Sequence, residues 1–280
     1  MPPKSEPLVA PVAYLGGKSR IAKQIVDIIW DGEDKHYYDI CCGSGAISIE
    51  LFNRGARKIT MVDAGPWGRF WQMIGRGLFD IDGFQKFLEK LPSRELMQSH
   101  FQKLAKQDAR IDTLYTFLVL QAAAFGSKPV WIADDWKTWV TPGFRSYWQP
   151  TTTSSRRSPV NPMMPMPETL LTRVRALLEM RGIKGFEEDA KASWIEPSAV
   201  VYIDPPYGGT TGYGHELDVE KFAKSLPNRV YVSEGRALSG EAHLIAGSAA
   251  RAKGGITGKK KKTSNEEWLS VFRGDSGGTN

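Results

Sequence analysis

The sequence predicts an α/β protein: one parallel sheet with helices on both faces, interrupted by a long and mostly helical insertion. Three observations predict it. Residues 37–63 read as strand, glycine turn, helix and strand, a βαβ unit of the kind that builds parallel sheets. Strand-like runs return only late, at residues 183–186, 199–203, 229–233 and 268–272. The stretch between carries helical patterns that do not alternate with strands. The sheet domain is expected at 12–65 and 182–273, with an inserted subdomain at 66–181 and loose ends at 1–11 and 274–280.

Composition sets the outer limits. The chain has 280 residues, 41% hydrophobic and 24% charged, which suits one large globular domain or one domain with a sizeable insertion. No apolar run reaches the ~20 residues of a membrane span. The N-terminus, Met1-Pro2-Pro3-Lys4-Ser5-Glu6, lacks the apolar core of a secretory signal. The only cysteines, Cys41 and Cys42, are adjacent, which rules out a disulfide framework and a cysteine metal site. His36, His100, His215 and His243 show no ligand spacing, so no metal is expected. A reducing compartment, the cytoplasm, is the expected setting. The net charge of +6 allows an anionic partner.

The elements follow in order. Tyr14-Leu15-Gly16-Gly17-Lys18-Ser19 precedes Ile21, Ile25, Ile28 and Ile29 at helical spacing. Gly-Gly-Lys resembles part of a phosphate loop, but Val12 stands where that loop needs its first glycine, which argues against nucleotide hydrolysis. Tyr37 to Cys42 reads as a strand, Gly43-Ser44-Gly45 as a turn, Ala46 to Phe52 as a helix and Lys58 to Val62 as a strand closed by Asp63. Trp67 to Phe125 and Thr169 to Met180 read as helical, with Ile111 to Ala124 the clearest. Ile183 to Phe186 reads as a short strand leading to Glu187-Glu188-Asp189. Leu217 to Leu226 reads as a helix. Ala242 to Asn265 holds no acid, carries Arg251, Lys253 and Lys259 to Lys262, and reads as a mobile basic loop.

Two elements carry chemistry. In Asp39-Ile40-Cys41-Cys42-Gly43-Ser44-Gly45 the glycines let the backbone turn sharply and let a ligand approach closely. With Asp63 closing the next strand, where a doubly wound fold puts a carboxylate on ribose hydroxyls, the pattern points to a nucleoside-containing cofactor. A dinucleotide fingerprint needs a third glycine where Ser48 stands; an S-adenosylmethionine (AdoMet) site needs no pyrophosphate cradle. An ordinary strand-to-helix turn is the plain alternative. The second element is Asp204-Pro205-Pro206-Tyr207, which stops the apolar run Ala199 to Ile203. Proline ends the ladder there. The tip offers a carboxylate, stiff carbonyls and a ring, a set suited to a flat substrate bearing an amino group. A proline turn without function is its plain alternative.

Residues 126–157 interleave Trp131, Trp136, Trp139, Tyr147 and Trp148 with Lys128, Lys137, Arg145, Arg156 and Arg157. Such mixtures occur on nucleic-acid surfaces, where cations meet phosphates and rings meet bases. Tryptophans in a subdomain core with cations on a solvated face would look the same.

In content and order, Tyr14-Leu15-Gly16-Gly17-Lys18, Asp39 to Gly45, Asp63, Asp189 and Asp204-Pro205-Pro206-Tyr207 resemble the Dam-like, alpha-class DNA adenine-N6 methyltransferases. The resemblance covers roughly residues 12–63 and 183–207. It implies a Rossmann-like AdoMet-dependent methyltransferase sheet, an inserted target-recognition subdomain, double-stranded DNA as partner, a flipped adenine as substrate and S-adenosylhomocysteine as product. It places Tyr14, Gly16, Gly17 and Lys18 at the methionine end of AdoMet. Asp39, Cys41, Gly43, Ser44 and Gly45 would lie along its body, with Asp63 on its ribose and Asp189 on its adenine. Asp204 and Pro205, with Pro206 holding the tip, would grip the target amine, and Tyr207 would stack on the target base. The sequence departs from the family pattern at Ile40 and Cys41, where the family has proline and an aromatic. Glu187 and Glu188 stand beside Asp189 as further candidates for the cofactor contact. The compact single chain suggests a stand-alone enzyme, bacterial or phage-encoded. Transfer to cytosine N4 or to adenine in RNA, and a non-catalytic nucleic-acid-binding relative, are the competing readings.

Overall fold

The computed structural model describes residues 6–144, 164–191, 195–205, 217–247 and 266–273. Strands β1 (Tyr37–Ile40), β2 (Ile59–Asp63), β5 (Lys184–Glu187), β6 (Val200–Ile203), β7 (Arg229–Glu234), β8 (Ala242–Gly247) and β9 (Glu266–Arg273) form one sheet in the order β5-β2-β1-β6-β7-β9-β8. All pairings are parallel except those of β9, which runs antiparallel to β7 and β8. A two-stranded hairpin, β3 (Trp131–Ile132) and β4 (Trp139–Val140), stands apart. This is a mixed α/β fold compatible with a Rossmann-like sheet.

Alternation along the strands divides the core into two faces. Tyr37, Val200, Tyr202 and Tyr231 pack with α1 (Ala22–Ile29), α2 (Ala46–Asn53) and α3 (Pro66–Arg76). Tyr38, Ile40, Val201, Ile203, Val230 and Val232 pack with Ala223 of α8 (Val219–Lys224) and with Leu226. Helices therefore flank the sheet on both sides.

Helix α3 lies very close to the sheet. A Cβ at Gly68 would collide with the carbonyl oxygens of Phe186 and Asp63, and one at Gly75 with that of Ile183. The buried side chains of α4 (Ile81–Glu89), α5 (Met97–Leu104), α6 (Thr113–Ala123) and α7 (Pro167–Leu177) continue the same cluster. Phe84, Phe101, Phe117 and Val174 are fully buried in it.

Four expectations differ from the observed elements. The sheet is not wholly parallel, because β9 runs antiparallel to both of its neighbours. Strand β1 ends at Ile40, not Cys42, because Cys41 turns to a left-handed φ of 59°. The start of the presumed basic loop is strand β8, held by pairing with the distant β9; Lys259 to Lys262 lie outside the described residues. The hairpin β3–β4 occupies a stretch with no strand expected. Among the described residues, no helix is long and apolar enough to cross a membrane.

Candidate functional site

From β1 the chain moves outward through β2 to β5, then returns to place β6 and β7 on the other side of β1. In open α/β sheets, the crevice at the carboxyl ends of the strands flanking such a reversal is where ligands bind. Here Ile40 pairs with Ile203, and Asp204 N donates to Ile40 O at 3.0 Å. The loop after β6 thus begins beside the turn after β1. A cleft of about 990 Å³ opens over both, within the usual range for small-molecule sites. Tyr14, Gly16, Gly17, Lys18, Asp39, Cys41, Gly43, Ser44, Asp63, Asp189, Asp204 and Pro205 all line it.

The glycine turn is tightly specified. Cys41, Gly43 and Gly45 all take left-handed φ values, of 59°, 48° and 77°. For Cys41 that is a strained conformation of the kind concentrated at functional sites. The Asp63 carboxylate accepts from Gly43 N at 2.9 Å and Gly65 N at 2.8 Å, tying two loops together. Trp71 Nε1 donates to Gly43 O at 2.9 Å from below. Gly45 does not line the cleft: it faces the core, where a Cβ would strike the Trp71 ring and Met61.

The N-terminal loop covers the turn. Gly17 N donates to Tyr14 O at 2.9 Å, and Leu15 N donates to Ser127 O at 2.8 Å. The Tyr14 ring meets Trp67 edge-on at 6.0 Å, and a Cβ on Gly43 would press against it at 3.1 Å. Lys18, only 4% exposed, donates from Nζ to Gly16 O at 2.9 Å and to Asp204 Oδ1 at 2.6 Å.

Carboxyl groups dominate the charge. Asp39, Asp63, Glu188, Asp189, Asp204, Glu266 and Glu267 line the cleft, against the single ammonium of Lys18 among the described lining residues. Burial pushes Asp39 up to about 7, against the pull of hydrogen bonds from Ser48 Oγ (2.7 Å) and Ser48 N (3.2 Å), while the Asp204 charge pushes it further. Burial pushes Asp204 up to about 6, opposed by Lys18 and reinforced by Glu267 and Glu234. Burial and the surrounding acids hold the Cys41 and Cys42 thiols well above their usual range, so neither is a ready nucleophile.

The three adjacent acids separate. Glu187 lines a different, small pocket with Arg69 and Arg110, and burial pushes it up to about 7. Glu188 and Asp189 face the main cleft. Pro206 and Tyr207 lie outside the described residues. Of the tryptophans noted in residues 126–157, Trp131 lines the cleft, Trp139 is buried core, Trp136 is 66% exposed on the hairpin and Trp148 lies outside the described residues. Sequence reasoning missed Trp67, Trp71, Glu266 and Glu267. The two tryptophans follow Asp63 closely, but helical spacing marks them only as core; the glutamates carry no local signal at all. No family model matches the chain, and a search of curated proteins also finds no match.

Proposed function

We propose that the protein is an AdoMet-dependent methyltransferase that modifies the N6 amine of an adenine flipped out of double-stranded DNA, with residues 66–181 contributing target recognition. One observation carries the reading: the Asp204-Pro205 tip and the glycine turn share one cleft at the sheet reversal, joined by the Asp204 N to Ile40 O hydrogen bond. The donor set suits the cofactor, because an acid-rich cleft favours a cation such as a sulfonium. The same field repels phosphate, so the neutral base would enter while the DNA backbone stays outside. The hairpin edge of the sheet, with β9 antiparallel, also departs from the all-parallel dinucleotide arrangement.

Bound AdoMet would supply an activated methyl group. Asp63 would hold the ribose, and Asp189 or Glu188 the adenine. Tyr14, Gly16 and Gly17 would shape the methionine end. The amine of adenine is a poor nucleophile because its lone pair is delocalised into the ring. Asp204 and the Pro205 carbonyl would accept its N–H bonds and localise that pair, and Asp204 would take the proton shed after transfer. Positioning and aimed dipoles would supply the rate. Tyr207 stacking would offset part of the few kcal/mol that base flipping costs.

The test is incubation with tritiated AdoMet and either duplex DNA or RNA, followed by nucleoside analysis. Label in N6-methyladenine from DNA is expected. Label in N4-methylcytosine or only in RNA would replace the substrate; no label in any nucleic acid, with no AdoMet bound, would end the reading.

A further inference from the structure

The N-terminal loop and the antiparallel edge strand meet at Asp204. Lys18 Nζ donates to Gly16 O and Asp204 Oδ1. Glu267 Oε1, from β9, stands 3.6 Å from the same nitrogen, within ion-pair reach and just beyond a hydrogen bond. All three groups are shielded: Lys18 is 4% exposed, Asp204 20% and Glu267 15%.

We propose that Glu267 is a positioning residue for the transfer, acting through Lys18: it offers the ammonium a second seat, which releases Asp204 Oδ1 to the substrate amine while Lys18 stays in the cleft. The inference rests on Asp204 being the acceptor of that amine. A shift of less than about 1 Å brings Lys18 to charge-assisted hydrogen-bond distance from Glu267. The Gly16 carbonyl, which accepts from the ammonium at 2.9 Å, would act as the pivot.

Charge gives a second reason. Lys18 and Asp204 together are neutral, so alone they do little for the positive charge that develops on the nitrogen under attack. Glu267 makes the trio net negative. The charged and titratable groups described around Asp204 are Lys18 from the N-terminal loop, Asp39 from β1, Cys41 from the turn, Glu234 from β7 and Glu267 from β9. Lys18 pulls the Asp204 titration down, while Glu267 and Glu234 push it up. Removing the Glu267 charge must therefore lower it.

The full-length protein, carrying carboxyl-¹³C aspartate, tests this by NMR titration of the wild type, E267Q and E267D, alongside steady-state kinetics on duplex DNA. In E267Q the Asp204 midpoint should fall by roughly half a unit to one unit. Its kcat should drop at least about tenfold with little change in KM for DNA, the mark of an interaction made in the transition state. E267D should recover part of both. An unmoved midpoint, or an unchanged kcat, in folded E267Q overturns the role of Glu267. The carboxyl titration needs no methyl transfer, so it stands apart from failure of the site reading, which an inactive wild type would show.

Discussion

Replacing Asp204 tests the site and the fold together. At 2.6 Å, with an effective dielectric constant near 20, the attraction between Lys18 and Asp204 is about 6 kcal/mol before desolvation. Breaking a buried pair by removing one partner typically costs about 3–5 kcal/mol, because a charge is left behind. Here the ammonium keeps Gly16 O and gains Glu267, so D204A should cost nearer 2–3 kcal/mol. D204N keeps a carbonyl acceptor and should cost about 1 kcal/mol. Both should lose methyl transfer by at least about a hundredfold, the scale for losing one aimed polar group. AdoMet should still bind to either. Urea melts measure stability, calorimetry measures cofactor binding and tritium incorporation measures transfer. An unchanged urea midpoint in D204A would refute the buried pair, wild-type transfer by D204A would refute the acceptor role, and wild-type transfer by D204N would refute the need for a charged carboxylate.

Alanine at the two turn glycines should separate fold from ligand. G45A combines a left-handed φ with a clash on Trp71 and should cost about 2–4 kcal/mol in a urea melt, whereas G43A carries the left-handed φ but presses only on the Tyr14 ring, and should cost about 1–2 kcal/mol while also weakening AdoMet binding. W71F leaves the Gly43 carbonyl without its buried donor and should cost about 1–3 kcal/mol while loosening cofactor binding; identical AdoMet affinity would show that the turn does not need this support. Stability should fall as pH rises. Asp39 and Glu187, both near 7, and Asp204, near 6, hold protons more tightly folded than unfolded, so the native state binds the excess proton between the unfolded carboxyl range and pH 7. Going from pH 8 to pH 6 should gain about 2–3 kcal/mol, chiefly from Asp39 and Glu187; D39N and E187Q should flatten the slope, and a stability that increases from pH 6 to pH 8 would contradict the burial of these acids.

Much of the site was legible because its signals are local. Gly43 and Gly45 announce a turn by lacking a Cβ, and both take the positive φ that this permits. Pro205 announces the end of a strand by lacking an N–H, and β6 stops at Ile203. Asp63 was found by its place at the end of β2. The companion groups were not legible. Glu266 and Glu267 look like any acids before a strand, and only the pairing of β9 with β7 brings them to the cleft. Strand β8 was hidden because an edge strand is held by its partner, not by a strong pattern of its own.

The order of chemical groups along the chain determined which loops could matter: a glycine turn after one strand, an acid after the next, and Asp204-Pro205 after a later one. Their periodicity and backbone restrictions act over a few residues, so one sequence suffices to find them. Tertiary structure alone decided which groups meet. Lys18 and Asp204 touch across 186 positions of chain, and Glu187, the last residue of β5, parts from Glu188 and Asp189 in the loop beyond it. Strand order, register and the pleat set those meetings, and they arise from burying both faces of the sheet at once, a condition that no short stretch of sequence satisfies alone.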